Sequence, residues 1–156
     1  KPQNIAAAER AMREMNAQYL TVIMEGKYTD WYLKSSGADA PKFTAEDLKI
    51  ISSPLDFVGV NIYIAQYVRA DESSPTGYTQ ITHPKSFPRA PSFWLVVTPD
   101  ALYWGPRHVA KLWGAKEIYI TENGCSAADE PSADGRVYDT DRVAFLRSYL
   151  TQLRRP

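Results

Sequence analysis

Asp56-Phe57-Val58-Gly59-Val60-Asn61-Ile62-Tyr63-Ile64 is the stretch on which the fold turns. It is nearly continuous and rich in β-branched residues, the pattern of a strand buried on both faces of a parallel sheet. Glu117-Ile118-Tyr119-Ile120-Thr121 is a second stretch of the same kind. Between them, Thr98-Pro99-Asp100 reads as a helix start: threonine as N-cap, proline at the first position, an acid in the first turn. That helix is expected to reach about Trp113, with a disturbance at Gly105-Pro106 and a cap at Gly114. A last helix is expected from Thr140 to Leu153, with Val143, Leu146, Leu150 and Leu153 on one face and Asp139 and Asp141 at its start. Strands alternating with helices imply parallel β/α units joined by crossovers.

Working outward, Ile5, Ala8, Met12, Met15 and Tyr19 recur at helical spacing, which predicts a helix from Asn4 to Tyr19. Thr44-Ala45-Glu46-Asp47 reads as a capping box before a short helix that stops near Ser52-Ser53-Pro54. Residues 65–93 and 123–138 read as long polar loops, which in compact domains are often functional. No internal repeat or low-complexity segment is visible. Two strands alone cannot make a stable parallel sheet, because their open edges invite pairing. Partner strands are therefore expected outside these residues, and the chain is expected to be one piece of a larger α/β domain.

The composition agrees with a globular chain: 156 residues, 44% hydrophobic and 23% charged. Lysine plus arginine balances aspartate plus glutamate at 18 each, which gives no electrostatic case for nucleic acid or an anionic membrane. No apolar run reaches membrane-spanning length. The lone cysteine, Cys125, excludes an intrachain disulfide. Lys1-Pro2-Gln3-Asn4 is not a secretion leader, and the absence of an initial methionine reads as a start inside a longer polypeptide. A cytoplasmic microbial protein is the expectation.

Glu122 stands at the C-terminal end of the second strand, where β/α barrels collect catalytic groups. A carboxylate there can attack an anomeric carbon. On local evidence alone the commoner role is a strand-end glutamate capping a turn. Asn61 and Tyr63 are two apart in the first strand and share a face. A tyrosine hydroxyl there can partner a carboxylate on a neighbouring strand. A structural asparagine and a core aromatic fit those positions equally well. His83 and His108 have no metal or triad spacing, so no metal site is expected and both read as solvated or packed histidines. Cys125 reads as an ordinary residue at the rim of a pocket. No phosphate loop or dinucleotide fingerprint is present, and no cofactor is expected.

The run Ile118-Tyr119-Ile120-Thr121-Glu122-Asn123-Gly124 resembles the nucleophile motif of glycoside hydrolase family 1, the β-glucosidase family. Four other segments resemble the family in order. Pro41-Lys42-Phe43-Thr44 is similar to its "LP-x-FT" segment, and Asp56 to Tyr63 to its "DF-hydrophobic-G-hydrophobic-N-x-Y" strand. Trp94 to Pro99 is similar to the segment leading into the next helix, and Gly135 to Leu150 to the segment after the nucleophile. The resemblance implies that residues 1–156 are a partial catalytic domain, about the sixth and seventh β/α units of a (β/α)8 TIM barrel. It implies retaining hydrolysis of terminal β-D-glucosidic bonds in β-glucosides or cello-oligosaccharides, as in cellulose degradation. Glu122 matches the nucleophile, Tyr63 its hydrogen-bonding tyrosine, and Asn61 the asparagine near the catalytic pair. Trp94 matches an aromatic of the aglycone subsite, with a loop tryptophan packed under the barrel rim as the alternative, and Asn123 and Cys125 would flank the pocket.

The family's acid/base glutamate, in a "T-x-NEP" motif, has no counterpart in this chain. The upstream glutamine, histidine and tryptophan of the glycone subsite and the downstream "W-S-x-x-D-N-x-E-W" segment are also missing. Retention needs two carboxyls about 5–5.5 Å apart, so the remaining part of the same barrel is the expected partner. The chain alone is expected to show no useful turnover. Two alternatives within reach of the resemblance are a 6-phospho-β-glycosidase and a non-hydrolytic family-1-like glycan-binding protein.

Overall fold

In the computed structural model, which describes residues 1–156, proline opens the first helix at a position whose missing N–H has no helical partner anyway. The helices are α1 (Pro2–Met15), α2 (Val22–Glu25), α3 (Asp30–Ser36), α4 (Ala45–Ile51), α5 (Ala101–Trp113) and α6 (Thr140–Leu153). The strands are β1 (Val58–Asn61), β2 (Tyr67–Ala70), β3 (Tyr78–Ile81) and β4 (Ile118–Glu122). The chain divides into two units. One holds Lys1–Asp56, Tyr67–Ile81 and Lys111–Gly114; the other holds Phe57–Gln66, Thr82–Ala110 and Ala115–Pro156.

In the first unit, α1 ends at Met15, a single π-helical turn follows at Ala17–Thr21, and α2 continues the path. The face expected to be buried is not the buried one. Ala7 and Ala11 are buried, whereas Ile5 and Tyr19 are 58% and 67% exposed. The cause is the neighbour. The segment expected to be a loop carries an antiparallel hairpin, β2 against β3, and β2 packs on α1. Ala70 N–H donates to Asn4 Oδ1 at 3.1 Å, and Arg10 Nη2 donates to the Gly77 carbonyl at 3.0 Å. Asn4, Ala7 and Ala11 recur at i, i+3 and i+7, so the small-residue face of α1 admits the hairpin closely. The capping box forms as expected: Thr44 N–H reaches Asp47 Oδ2 at 2.8 Å, and Asp47 N–H reaches Thr44 Oγ1 at 3.1 Å.

Glu25 anchors this unit. Its carboxylate accepts from Arg13 Nε at 2.6 Å and Trp113 Nε1 at 2.9 Å, and also pairs with Arg13 Nη2. The Arg13 hydrogen bond holds Glu25 below the ordinary glutamate value of 4.5. A depressed folded value adds stability above the unfolded pKa and loses it as pH falls through the folded one. Glu25→Gln is expected to lower stability at pH 7 by about 1 kcal/mol, allowing for the partly exposed guanidinium. The difference from wild type should shrink as pH falls below the ordinary glutamate value and vanish once pH has passed below the depressed folded one. Urea unfolding of both proteins across that pH range checks this.

In the second unit, β1 and β4 pair in parallel: Val58 faces Ile118, Gly59 Tyr119 and Val60 Ile120. The parallel pair is the one the sequence predicts, but it is not buried on both faces. Only Val58 of the two strands is fully buried, and Tyr119 is half exposed. Two strands leave both sheet faces and both edges without strand neighbours. The core lies beside the sheet, where Leu95, Ala101, Leu102, Phe145 and Tyr149 cluster with Ile62 and Ile120 packed against them.

The expected helix starts and faces are partly corrected here. The helix α5 continues through Pro106 without interruption, although that proline donates no hydrogen bond to the preceding turn. Gly114, at φ +67°, ends it as expected. Thr98 does not cap α5 with its side chain. Its Oγ1 accepts from Ala65 N–H at 2.8 Å and tethers the chain leaving β1. On α6 the aliphatic stripe Val143, Leu146, Leu150 and Leu153 faces outward, while Phe145 and Tyr149 are buried. These two rings stack at 4.0 Å, and the Tyr149 hydroxyl finds polar partners in the core. Asp139 receives Arg142 Nε at 2.7 Å instead of a backbone N–H of the helix start.

Candidate active site

The register of the parallel pair breaks once, between Val60 and Asn61, so that Asn61 faces Glu122 and Thr121 is the extra residue. Such a bulge re-aims the side chains beside it. Thr121 Oγ1 donates to Asn61 Oδ1 at 2.6 Å. Gly59 makes room for this: a Cβ there would sit 3.2 Å from Thr121 Cγ2. Glu122 is thereby set at the C-terminal end of β4, and its carbonyl accepts from Ile62 N–H at 3.0 Å.

Tyr63, just beyond β1, donates its hydroxyl to Glu122 Oε2 at 2.8 Å. The carboxylate pushes the Tyr63 phenol above its ordinary value, so the hydroxyl remains a donor. Trp94 meets the Tyr63 ring edge-to-face at 5.5 Å and is 45% exposed. Three of the four residues singled out by sequence, Glu122, Tyr63 and Trp94, therefore form one contact chain. Asn61 joins it through Thr121, with its side-chain oxygen engaged there. Asn123 Nδ2 donates to the Ile62 carbonyl at 2.8 Å and closes the turn after Glu122. Cys125 is partly buried against the core, where burial pushes its thiol up. His83 Nε2 donates to the Ala65 carbonyl at 2.7 Å, and His108 stacks on Trp104. No group of His, Cys, Asp or Glu has the arrangement of a metal site. No helix is long and apolar enough to cross a membrane.

A carboxylate that accepts from one phenol and is exposed at a strand end can act as a nucleophile or as a proton acceptor. Comparison with known proteins gives the arrangement its context. The description "Glycosyl hydrolase family 1" fits residues 1–156, the whole chain. This chain belongs to glycosyl hydrolase family 1. It is 31% identical over 159 residues to β-glucosidase A of Acetivibrio thermocellus, covering 99% of this chain and 35% of that protein. It is 31% identical over 155 residues to the 1,4-β-D-glucan glucohydrolase of Thermotoga neapolitana, covering 98% and 36%. The fold matches the family 1 β-glucosidase from Thermotoga maritima in complex with isofagomine lactam, with TM-score 0.73, 28% identity, and 97% of this chain against 34% of that one. The chain thus spans about a third of the length of the relatives it matches. The parallel pair with its helices is part of an α/β barrel of the TIM type.

For a family 1 chain, the Ser92–Ser126 pair, the Arg142–Asp129 pair and the Tyr149 hydroxyl under Tyr63 are the contacts that sequence reasoning missed. Each joins residues from different segments, and serines and an aspartate in polar loops carry no periodic signal. A separate cleft of about 460 Å³ in the first unit is lined by Lys27, Tyr28, Thr29, Trp31 and Lys34 among others, and includes none of the predicted site residues.

Proposed function

We propose that the complete protein is a retaining β-glucosidase in which Glu122 is the nucleophile. The Tyr63–Glu122 hydrogen bond at the C-terminal end of a parallel strand pair carries this reading. Donation by a neutral phenol holds one carboxylate oxygen and orients the other toward a reacting carbon. In the first step Glu122 bonds to the anomeric carbon as the glycosidic C–O bond breaks, and an acid elsewhere in the barrel protonates the leaving oxygen. In the second step water, deprotonated by that same group, displaces Glu122. Asn61 lies at the edge of the sugar site, and Trp94 offers a flat face to the leaving group. The relatives named β-glucosidase and 1,4-β-D-glucan glucohydrolase support a β-glucoside or a short β-glucan as substrate.

Residues 1–156 read as about the sixth and seventh units of a catalytic barrel, and the remaining units are the partner that completes it. Phe57 and Tyr119, stacked edge-to-face at 5.1 Å and each about half exposed, then become interior residues of the closed barrel. A 2-deoxy-2-fluoro-β-glucoside whose good leaving group departs should trap the covalent intermediate in the full-length protein. Peptide mass mapping is expected to place the sugar on Glu122. A label on any other carboxylate would remove the assignment.

A further inference from the structure

We infer that Ser92, Ser126, Asp129 and Arg142 form a latch that positions Trp94, and with it the selectivity for the leaving group. This rests on the function proposed above and concerns how the site is held. Residues 88–97 form a tight lip, closed by Val97 N–H to the Pro88 carbonyl at 2.8 Å and Ala90 N–H to the Leu95 carbonyl at 3.1 Å. Arg89 and Val96 form a bridge across it. Trp94 sits near the tip, two residues from Ser92. No backbone–backbone hydrogen bond ties the tip to the segment that follows Glu122. The two serines do. Ser92 N–H donates to Ser126 Oγ at 3.0 Å, and the two hydroxyls share a bond at 2.6 Å.

Ser126 lies only four residues after Glu122, in a segment without regular structure. That segment is anchored three residues later. Arg142, on the first turn of α6, grips Asp129 with both terminal nitrogens, at 2.9 and 2.6 Å, and turns its Nε to Asp139 at 2.7 Å. A bidentate fork of this kind fixes direction as well as distance. The chain of contacts therefore runs from α6 through Asp129 and Ser126 to Ser92 and the Trp94 lip. Its other end is the Tyr63 ring, which touches Trp94 and holds Glu122. Glu122 is set by its strand, and Tyr63, which holds it, has its own anchor in the Tyr149 hydroxyl that donates to its carbonyl. Loosening the latch should therefore move the aromatic lip and leave the nucleophile in place.

This separates the latch from a merely structural element. The step that forms the glycosyl intermediate feels the lip only when the leaving group is large enough to touch it. The test uses the full-length protein with two substrates: a nitrophenyl β-D-glucoside and β-D-glucosyl fluoride, whose leaving group is a single atom. Ser126→Ala is expected to lower kcat/KM for the aryl glucoside by roughly 5- to 10-fold, the worth of one or two hydrogen bonds. The fluoride should change by less than about twofold. Asp129→Asn is expected to show the same selective loss, and Ser126→Thr, which keeps a hydroxyl, to recover most of it. Equal losses on both substrates, or no loss on either, would overturn the latch. A wild-type protein inactive on both substrates would instead overturn the proposed function, and the latch with it.

Discussion

Glu122→Gln in the complete enzyme is expected to reduce kcat for aryl β-glucosides on the order of 10⁴-fold or more, with the fold intact. The amide preserves shape and still accepts the Tyr63 hydroxyl, so little in the packing changes. Glu122 is exposed and is held from the neighbouring strand, by the Tyr63 hydroxyl on its side chain and by Ile62 N–H on its carbonyl. What disappears is the electron pair that bonds to the anomeric carbon. Tyr63→Phe should be much milder, about 10- to 100-fold in kcat/KM, because it removes one donor to a charged group and leaves the nucleophile. The order of these two effects is the point to measure. Steady-state kinetics on both variants, with circular dichroism to verify folding, decides it. A Tyr63 variant as damaged as the Glu122 variant would mean that the phenol does more than hold the carboxylate.

The parallel pair was legible because a buried-strand composition is a strong local signal, and Val58–Asn61 and Ile118–Glu122 both carry it. The capping box at Thr44 and the glycine end of α5 were legible for the same reason: each is chemistry within four residues. The hairpin at 67–81 was hidden by its proline- and serine-rich surroundings, although Tyr67-Val68-Arg69-Ala70 and Tyr78-Thr79-Gln80-Ile81 do alternate around a glycine turn. Which helix face is buried was not legible at all. On α6, Val143, Leu146, Leu150 and Leu153 make the better apolar stripe, yet Phe145 and Tyr149 fill the core. Periodicity counts apolar residues and does not see that a buried phenol can satisfy two backbone groups at once. At the site, the residues that touch Glu122 were found through motif resemblance. The register bulge at Thr121, which sets the direction of Glu122, has no signature in composition or spacing.

Tyr149 is the position where a single atom is expected to matter most for stability. Its side chain is fully buried. Its hydroxyl donates to the Tyr63 carbonyl at 2.8 Å and accepts from Thr98 N–H at 3.0 Å. Tyr149→Phe keeps the stacking on Phe145 and creates almost no cavity, so hydrophobic burial is nearly unchanged. It leaves the buried Thr98 N–H and the partly buried Tyr63 carbonyl without their partner, and a buried unpaired group costs about 1–3 kcal/mol. A loss of about 2–4 kcal/mol on urea unfolding follows. Tyr149→Ala should lose about 3–5 kcal/mol through the cavity. The pH dependence separates the causes. Burial raises the Tyr149 phenol above its ordinary value of 10.0. A raised folded value means that this stability is complete below the unfolded pKa and is lost as pH rises through the folded one. Wild type should therefore lose stability in that alkaline range more steeply than Tyr149→Phe, whose side chain cannot ionise. The carbonyl released in Tyr149→Phe belongs to Tyr63 itself, so the same variant loosens the residue that holds Glu122. Its kcat/KM should fall on β-D-glucosyl fluoride as well as on the aryl glucoside, because the disturbance reaches the nucleophile through Tyr63.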